Sequence, residues 1–228
     1  MSWLRVDRVL DTLFPPRCLL CGVPGAGGPA CAGCLGDLPW LETAGQLPPA
    51  QWPFGIVASA LSYEYPVDRL IAAAKFGRQV PVARGLGELL ALRMPAIPEP
   101  PDAVVPVPLH WRREADRGFN QAEEIARALC AARRWPLRPK LCRRVRPTPA
   151  QSALNAAERR ENLRGAFALC RPDVASGCRR LMIIDDVITT GATAEALAAL
   201  FRQAGVPEIT LWTVARTPEP GQAAARKV

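Results

Sequence analysis

Residues 181–193 read Leu-Met-Ile-Ile-Asp-Asp-Val-Ile-Thr-Thr-Gly-Ala-Thr, and no other stretch constrains the fold as strongly. The first four residues are apolar and β-prone without alternation, which predicts a strand buried on both faces in a parallel sheet. Two acids, Asp185 and Asp186, follow that strand. Thr189, Thr190 and Thr193 then surround Gly191 in a short hydroxyl-rich turn. Residues 194–204 are rich in Ala and Leu and predict a helix, which Gly205 is placed to end. A turn entering a helix offers unpaired backbone N–H groups and the positive end of the helix dipole, so it attracts phosphate. Glycine lets the backbone approach the anion, and threonine hydroxyls add donors with little bulk. Carboxylates do not bind that phosphate; they suit the vicinal hydroxyls of a ribose or the waters around Mg²⁺. Together the parts describe a pocket for a ribose 5-phosphate.

The Gly-Lys-Ser/Thr ending of a nucleotide-binding P-loop is absent. Position by position, the stretch instead resembles the phosphoribosyl-diphosphate-binding motif of type I phosphoribosyltransferases.

A second pattern lies near the start of the chain. Cys18-Leu-Leu-Cys21-Gly22 is followed by Cys31-Ala-Gly-Cys34. Two Cys-x-x-Cys knuckles each place two thiolates on one tight turn, the arrangement that tetrahedral zinc takes. Prolines and glycines dominate the surrounding residues, so metal must stand in for a core there. Four sulfur ligands leave no position for water, so the predicted zinc, one per chain, is structural. A redox dithiol is the alternative that the spacing disfavours. Cys130, Cys142, Cys170 and Cys178 have no ligand spacing and read as small buried or incidental thiols.

The net charge of +8 favours an anionic partner, a polyphosphate or a nucleic acid. His110 is the single histidine, which argues against a histidine metal site or a Ser-His-Asp triad. Residues 3–14 predict an amphipathic helix, not a secretion signal, and no apolar run approaches the roughly 20 residues of a membrane span. The expected location is the cytoplasm.

The chain divides into 1–50, an N-terminal helix and four-cysteine zinc ribbon with its linker, and 51–228, the larger α/β domain. Residues 41–53 read as a proline-rich linker, and 55–65 as one or two strands. Helices are predicted from Pro66 to about Lys75-Phe76-Gly77, with Val67, Leu70, Ile71 and Ala74 on one face, and over 82–94. Lys75 reads equally as a phosphate ligand and as a solvated surface lysine. Residues 103–109 start as a buried strand, and Pro106 and Pro108 turn it into a loop. His110, Arg112, Arg113 and Arg117 make that loop basic, and a helix follows to about Arg134 with Ile125, Ala126, Leu129 and Cys130 inward. An anion site and an exposed cationic loop are both open readings here. Residues 143–164 carry six arginines and two prolines, so no stable core element is expected before about Ala156. The segment reads as a mobile basic lid; a nucleic-acid-binding arm is the rival, although it lacks interleaved aromatics. Strands are predicted at 165–170 and Glu208–Ala215, and the last dozen residues as a frayed tail.

The order of these motifs resembles the ComF family of competence-associated, phosphoribosyltransferase-like proteins. The matching features are the cysteine knuckles, Lys75-Phe76-x-Arg78, Val105-Pro106-Val107-Pro108-Leu109-His110, Arg117-Gly118-Phe119-Asn120-Gln121-Ala122, Arg146-x-Thr148-x-x-Gln151, Arg159-x-x-Asn162 and Asp185–Thr193. Relatives carry further cysteine pairs for a double ribbon, whereas residues 35–60 here contain none, which puts a second zinc in doubt. The resemblance implies a type I phosphoribosyltransferase fold, a parallel sheet flanked by helices, with phosphoribosyl diphosphate bound alongside Mg²⁺. Asp185 and Asp186 would be the catalytic acids on the ribose hydroxyls. Thr189, Thr190, Gly191, Ala192 and Thr193 would hold the 5-phosphate, and Val187 would belong to the same phosphoribosyl diphosphate site. Pro108, Leu109, His110 and Arg112 would face the pyrophosphate, with Lys75 and Arg117 nearby. Arg146, Thr148, Gln151, Arg159 and Asn162 would belong to a closing loop. Phosphoribosyl transfer to a nitrogen acceptor is the expected activity. A non-catalytic module for sensing phosphoribosyl compounds, or for holding single-stranded DNA beside competence proteins, is the alternative.

Overall fold

The computed structural model describes residues 16–41, 52–95, 97, 99–147 and 163–218. The predicted helix at 3–14, most of the linker, Thr148, Gln151, Arg159 and Asn162 of the predicted lid, and the last ten residues of the tail lie outside them. Six strands are described: β1 (Ile56–Ser62), β2 (Ala103–Pro106), β3 (Cys142–Arg144), β4 (Phe167–Leu169), β5 (Arg180–Ile188) and β6 (Glu208–Arg216). Four of them form the central sheet, in the order β1-β6-β5-β2, with every pair parallel.

Parallel neighbours need crossover connections. After α1 (Ala32–Asp37) in the cysteine ribbon, helices α2 (Val67–Phe76) and α3 (Val80–Arg93) carry the chain from β1 to β2. Helices α4 (Trp111–Arg117) and α5 (Gln121–Arg133) follow β2. A short helix, α6 (Pro172–Ser176), leads into β5, and α7 (Ala192–Gln203) joins β5 to β6. Leu137 extends the sheet beyond β2 by pairing in parallel with Val104.

The unbroken apolar run in β5 has the consequence expected of it. Met182 and Ile184 face one core, where Ile71 of α2, Leu86 of α3 and Ile125 of α5 are their neighbours. Leu181 and Ile183 face a second core, covered by Leu197, Ala198 and Phe201 of α7. Burial on both faces of one strand is what the β-prone, non-alternating sequence dictates.

Most predicted elements stand within a residue or two of their expected bounds. Three depart in ways that matter for the site. First, β5 does not stop before the acids. Asp185, Val187 and Ile188 pair with Thr213, Ala215 and Arg216 of β6, so the strand carries both carboxylates. Second, the basic loop after β2 contains the two-turn helix α4. His110 caps it by accepting from the Arg112 N–H at 3.3 Å, and Gly118, at φ 87°, ends it. Third, the segment expected to lack structure before Ala156 begins with a strand. β3 pairs antiparallel with β4, whose residues come from beyond the lid segment.

The cysteine ribbon sits against the helical layer. Leu19, Leu20, Leu35 and Trp40 pack on the core that α2, α3 and α5 share. Gly85 of α3 leaves the room for this contact: a Cβ there would lie 2.2 Å from a Leu19 methyl carbon. Residues 39–41 also hydrogen-bond along β1, with Leu41 N–H donating to the Ala60 carbonyl and Ser62 N–H to that of Pro39. Trp52, at the end of the stretch read as a linker, packs on the second core instead.

Candidate functional site

The carboxyl ends of β5, β6 and β2 meet at one edge of the sheet, the edge where open α/β sheets place their ligands. Here β5 gives way to Thr189, Thr190 and Gly191. Gly191 is the residue before α7 and has φ 78°, a conformation that strains any residue with a Cβ. The turn and the first residues of α7 wrap a cavity of about 40 Å³, lined by Asp185, Val187, Thr189, Thr190, Gly191, Ala192 and Thr193, with Thr213 of β6. At about 10–15 Å³ per water, that space holds roughly three waters, the bulk of a phosphate group. The predicted 5-phosphate residues therefore come together as one cradle. Hollows of about 360, 310 and 470 Å³ are also present among the described residues, the first sharing Ala192 with this cavity, but none of these three is lined by either acid.

The two acids take different surroundings. Successive strand residues point to opposite faces. Asp185 lines the cavity, whereas Asp186 is buried and meets α2, where the Lys75 ammonium lies 2.7 Å from its Oδ2. Each carboxylate also accepts from the next backbone N–H, Asp185 from Asp186 and Asp186 from Val187, both at 2.9 Å. Burial, and then the negative neighbour Asp186, push the Asp185 carboxyl well above the usual range, with Lys75 opposing. Burial pulls Lys75 down, but Asp186, aided by Asp185 and Tyr63, more than reverses this and holds the ammonium charged.

Two further cations, Arg117 and Arg144, and the imidazole of His110 stand near the pair. Arg117, at the end of α4, is lowered by burial and by Arg113 and raised by Asp186. Its guanidinium donates to Gln121 Oε1 and lies 5.7 Å from the Phe76 ring centroid. Arg144 of β3 is lowered by burial and by Arg113 and raised by Asp185, and it stacks 5.6 Å from Phe167. His110 pairs in parallel with Arg144. Burial lowers the imidazole, and Arg112, Arg144 and Arg113 lower it further, so it is neutral at pH 7.

The structure thus joins Lys75, Arg117 and His110 to the acidic edge. Pro108, Leu109, His110 and Arg112 do not line this cavity; of them, His110 pairs with Arg144. Arg146 is directed elsewhere, donating to the Arg164 carbonyl at 2.9 Å. Arg144, Thr213 and Trp52 stand at the site without belonging to any local motif. For Arg144 the available signal is its place two residues after the buried Cys142. For Trp52 it is an aromatic pair, Trp52 and Phe54, inside a proline-rich stretch.

The second cluster is the ribbon. The sulfurs of Cys18, Cys21, Cys31 and Cys34 all lie within 4.8 Å of one another, with those of Cys21 and Cys31 3.7 Å apart. A tetrahedron of 2.3 Å Zn–S bonds has edges of about 3.8 Å, so the four sulfurs fit zinc. Their surroundings split their acidities. Cys18 is lowered to about 6: burial opposes this, but the N–H groups of Cys21, Cys31 and Leu20 outweigh it. Cys34 is pushed up to about 12 by the neighbouring sulfurs of Cys31 and Cys21. A cation at the centre removes the conflict.

A family profile described as a double zinc ribbon domain matches residues 9–45. Those residues contain four cysteines and no histidine, the ligands of one site. Competence protein F of Haemophilus influenzae is 37% identical over 162 residues, covering 68% of this chain and 69% of that protein. DNA utilization protein YhgH of Escherichia coli K12 is 32% identical over 219 residues, 93% of this chain and 88% of that one. The chain belongs to the ComF family. The YhgH protein of Salmonella typhi, 34% identical over 208 residues, covers 88% of this chain and 84% of its own. As a ComF family member the chain combines a structural zinc ribbon with a parallel α/β domain. No helix among the described residues is long and apolar enough to cross a membrane.

Proposed function

We propose that this protein binds phosphoribosyl diphosphate with Mg²⁺ and transfers the phosphoribosyl group to a nitrogen acceptor, releasing pyrophosphate, in a process that handles DNA. The observation that carries the reading is the phosphate-sized cradle at the start of α7 beside an acid pair with Lys75, Arg117 and Arg144 near it. The names of the relatives, for competence and DNA utilization, support the setting.

The cradle residues 189–193 would take the 5-phosphate through backbone N–H groups and threonine hydroxyls. Asp185, which lines the cavity, would take the ribose hydroxyls. Its raised pKa, set first by burial and then by the neighbouring Asp186 carboxylate, fits a site that gains from a nearby cation. Asp185 and Asp186 are the carboxylates that would hold Mg²⁺, which when bound would supply charge neutralisation of the pyrophosphate. Lys75, Arg117 and Arg144 would face the pyrophosphate and stabilise the charge that it gains on leaving. In the reaction, a C–N bond forms at the anomeric carbon as the C–O bond to pyrophosphate breaks, and the bonding pair leaves with the pyrophosphate. In the transition state, while both bonds are partial, the ribose carries oxocarbenium character. Positioning and charge complementarity do the work, and no side chain need form a covalent bond.

The test is pyrophosphate release with Mg²⁺, phosphoribosyl diphosphate and a panel of nitrogen acceptors. Release that depends on an acceptor and is lost in Asp185→Asn supports the reading. Binding without release from any acceptor supports the ligand-sensing alternative instead.

A further inference from the structure

Trp52 meets the phosphate cradle from a part of the chain that no local motif connects to it. A Cβ on Gly191 would lie 2.5 Å from Cη2 and 2.6 Å from Cζ2 of the Trp52 ring, so the edge of the indole rests directly on the glycine Cα. Gly191 lines the cavity of the cradle, whereas Trp52 does not; the ring presses on the turn from its outer side. A β-carbon at this position is thus excluded twice, by the φ of 78° and by the indole.

The indole is itself held in place. Pro53 biases the Trp52 backbone away from the helical region. Phe54 is buried in the second core, and its ring meets that of Trp52 edge-on, with centroids 6.0 Å apart and planes at 68°. The Pro53 carbonyl accepts from the Arg202 guanidinium of α7 at 3.3 Å, and the Gly55 N–H donates to the Ile209 carbonyl of β6 at 3.0 Å. Residues 52–55 are therefore fastened to α7 and β6, the helix that the cradle opens and the strand that carries Thr213 into it.

The cradle has a need that this contact meets. N–H groups kept for a phosphate cannot also bond within the turn, so such a turn cannot hold its shape by its own hydrogen bonds. Gly191, the N-cap of α7, supplies no side-chain cap, and glycine leaves the backbone free to take other conformations. Packing from outside has to fix the turn. We infer that Trp52 is the positioning residue of the phosphate cradle: its ring holds Thr189, Thr190 and Gly191 so that the open N–H groups converge on the 5-phosphate of the bound phosphoribosyl group. The inference rests on the proposed function, and it divides the ligand in two. Lys75, Arg117 and Arg144, proposed to face the pyrophosphate, are placed by α2, α4 and β3 rather than by residues 52–55. Losing the indole should therefore loosen the grip on the 5-phosphate and spare the grip on pyrophosphate.

The experiment titrates the zinc-loaded full chain by calorimetry with ribose 5-phosphate and, separately, with pyrophosphate and Mg²⁺. Trp52→Ala should bind ribose 5-phosphate roughly tenfold less tightly, the loss of about one well-aligned charge-assisted hydrogen bond, and pyrophosphate within about twofold of the parent. Trp52→Phe keeps an aromatic ring of shorter reach. Its affinity for ribose 5-phosphate should fall between those of the parent and Trp52→Ala, and it carries the same comparison if Trp52→Ala does not fold. Tryptophan emission of the parent should change on saturation with ribose 5-phosphate, and the change should shrink in Trp52→Phe. Parental affinity for ribose 5-phosphate in Trp52→Ala, equal weakening of both ligands in both variants, or an emission change that Trp52→Phe retains in full would overturn the inference. A parent that binds neither compound would instead overturn the proposed function, and the inference with it.

Discussion

Replacing Asp185 and Asp186 one at a time by asparagine should move stability in opposite directions. Both changes keep side-chain size, so packing is constant and charge is the variable. Asp186→Asn leaves the Lys75 ammonium without its counterion. Breaking a buried pair from one side costs about 3–5 kcal/mol. Lys75 keeps 26% of its side chain accessible, and solvent screening reduces the expected cost to roughly 2 kcal/mol. At about 2–4 °C per kcal/mol for a chain of this size, the variant should melt about 4–8 °C below the parent. Asp185→Asn removes the carboxyl that burial and Asp186 make hardest to ionise. A gain of about 1 kcal/mol, or about 2–4 °C, is expected. Scanning calorimetry at pH 7 measures both, and titration calorimetry should show both variants binding phosphoribosyl diphosphate less tightly. Melting shifts of the same sign would refute the assignment of one acid to Lys75 and the other to the cavity.

Three further outcomes follow from particular contacts. Asp185 has a raised folded-state pKa, so its contribution to stability is complete below the unfolded value near 3.9 and is lost as pH rises through the folded value; the melting temperature of Asp185→Asn relative to the parent should therefore climb from pH 4 to pH 7, and a flat difference would contradict this. Removing zinc with a chelator should release Leu19 from Gly85 and lower the melting temperature by about 10 °C or more, with one zinc per chain by elemental analysis; an unchanged melt would show that the ribbon contributes nothing to the helical layer. Gly191→Ala should destabilise by more than about 1 kcal/mol, since φ is 78° and the new Cβ would lie 2.5 Å from the Trp52 ring; in a Trp52→Ala background part of that cost should disappear, and strict additivity of the two changes would show no contact between these positions.

Much of this arrangement is legible in the sequence where a pattern is local. The apolar run of β5 and the threonine turn specify a strand, a cradle and a helix start within residues 181–193, and the cysteine spacing specifies a metal site. Contacts across the chain set the rest. α4 buries none of its residues and shows no apolar periodicity; a histidine cap, a glycine stop and the edge of the sheet hold it. β3 is a strand because β4 pairs with it, and nothing within Cys142–Arg144 states that alone. The adjacent acids read as one functional pair, but the pleat of β5 separates them and gives Asp186 a structural partner. The sequence leaves Lys75 open between ligand and surface, and its 2.7 Å contact with Asp186 makes it part of the acidic edge.

Titration calorimetry of the zinc-loaded protein with phosphoribosyl diphosphate and Mg²⁺ tests most directly whether the edge built by Asp185, Asp186 and residues 189–193 binds that compound. Saturable binding of one ligand per chain is expected, with competition by pyrophosphate. Affinity should fall by about one to two decades in Asp185→Asn, the effect of losing a charge-assisted contact. Absence of saturable heat at millimolar ligand, or equal affinity in the parent and Asp185→Asn, would contradict the proposed role of this edge.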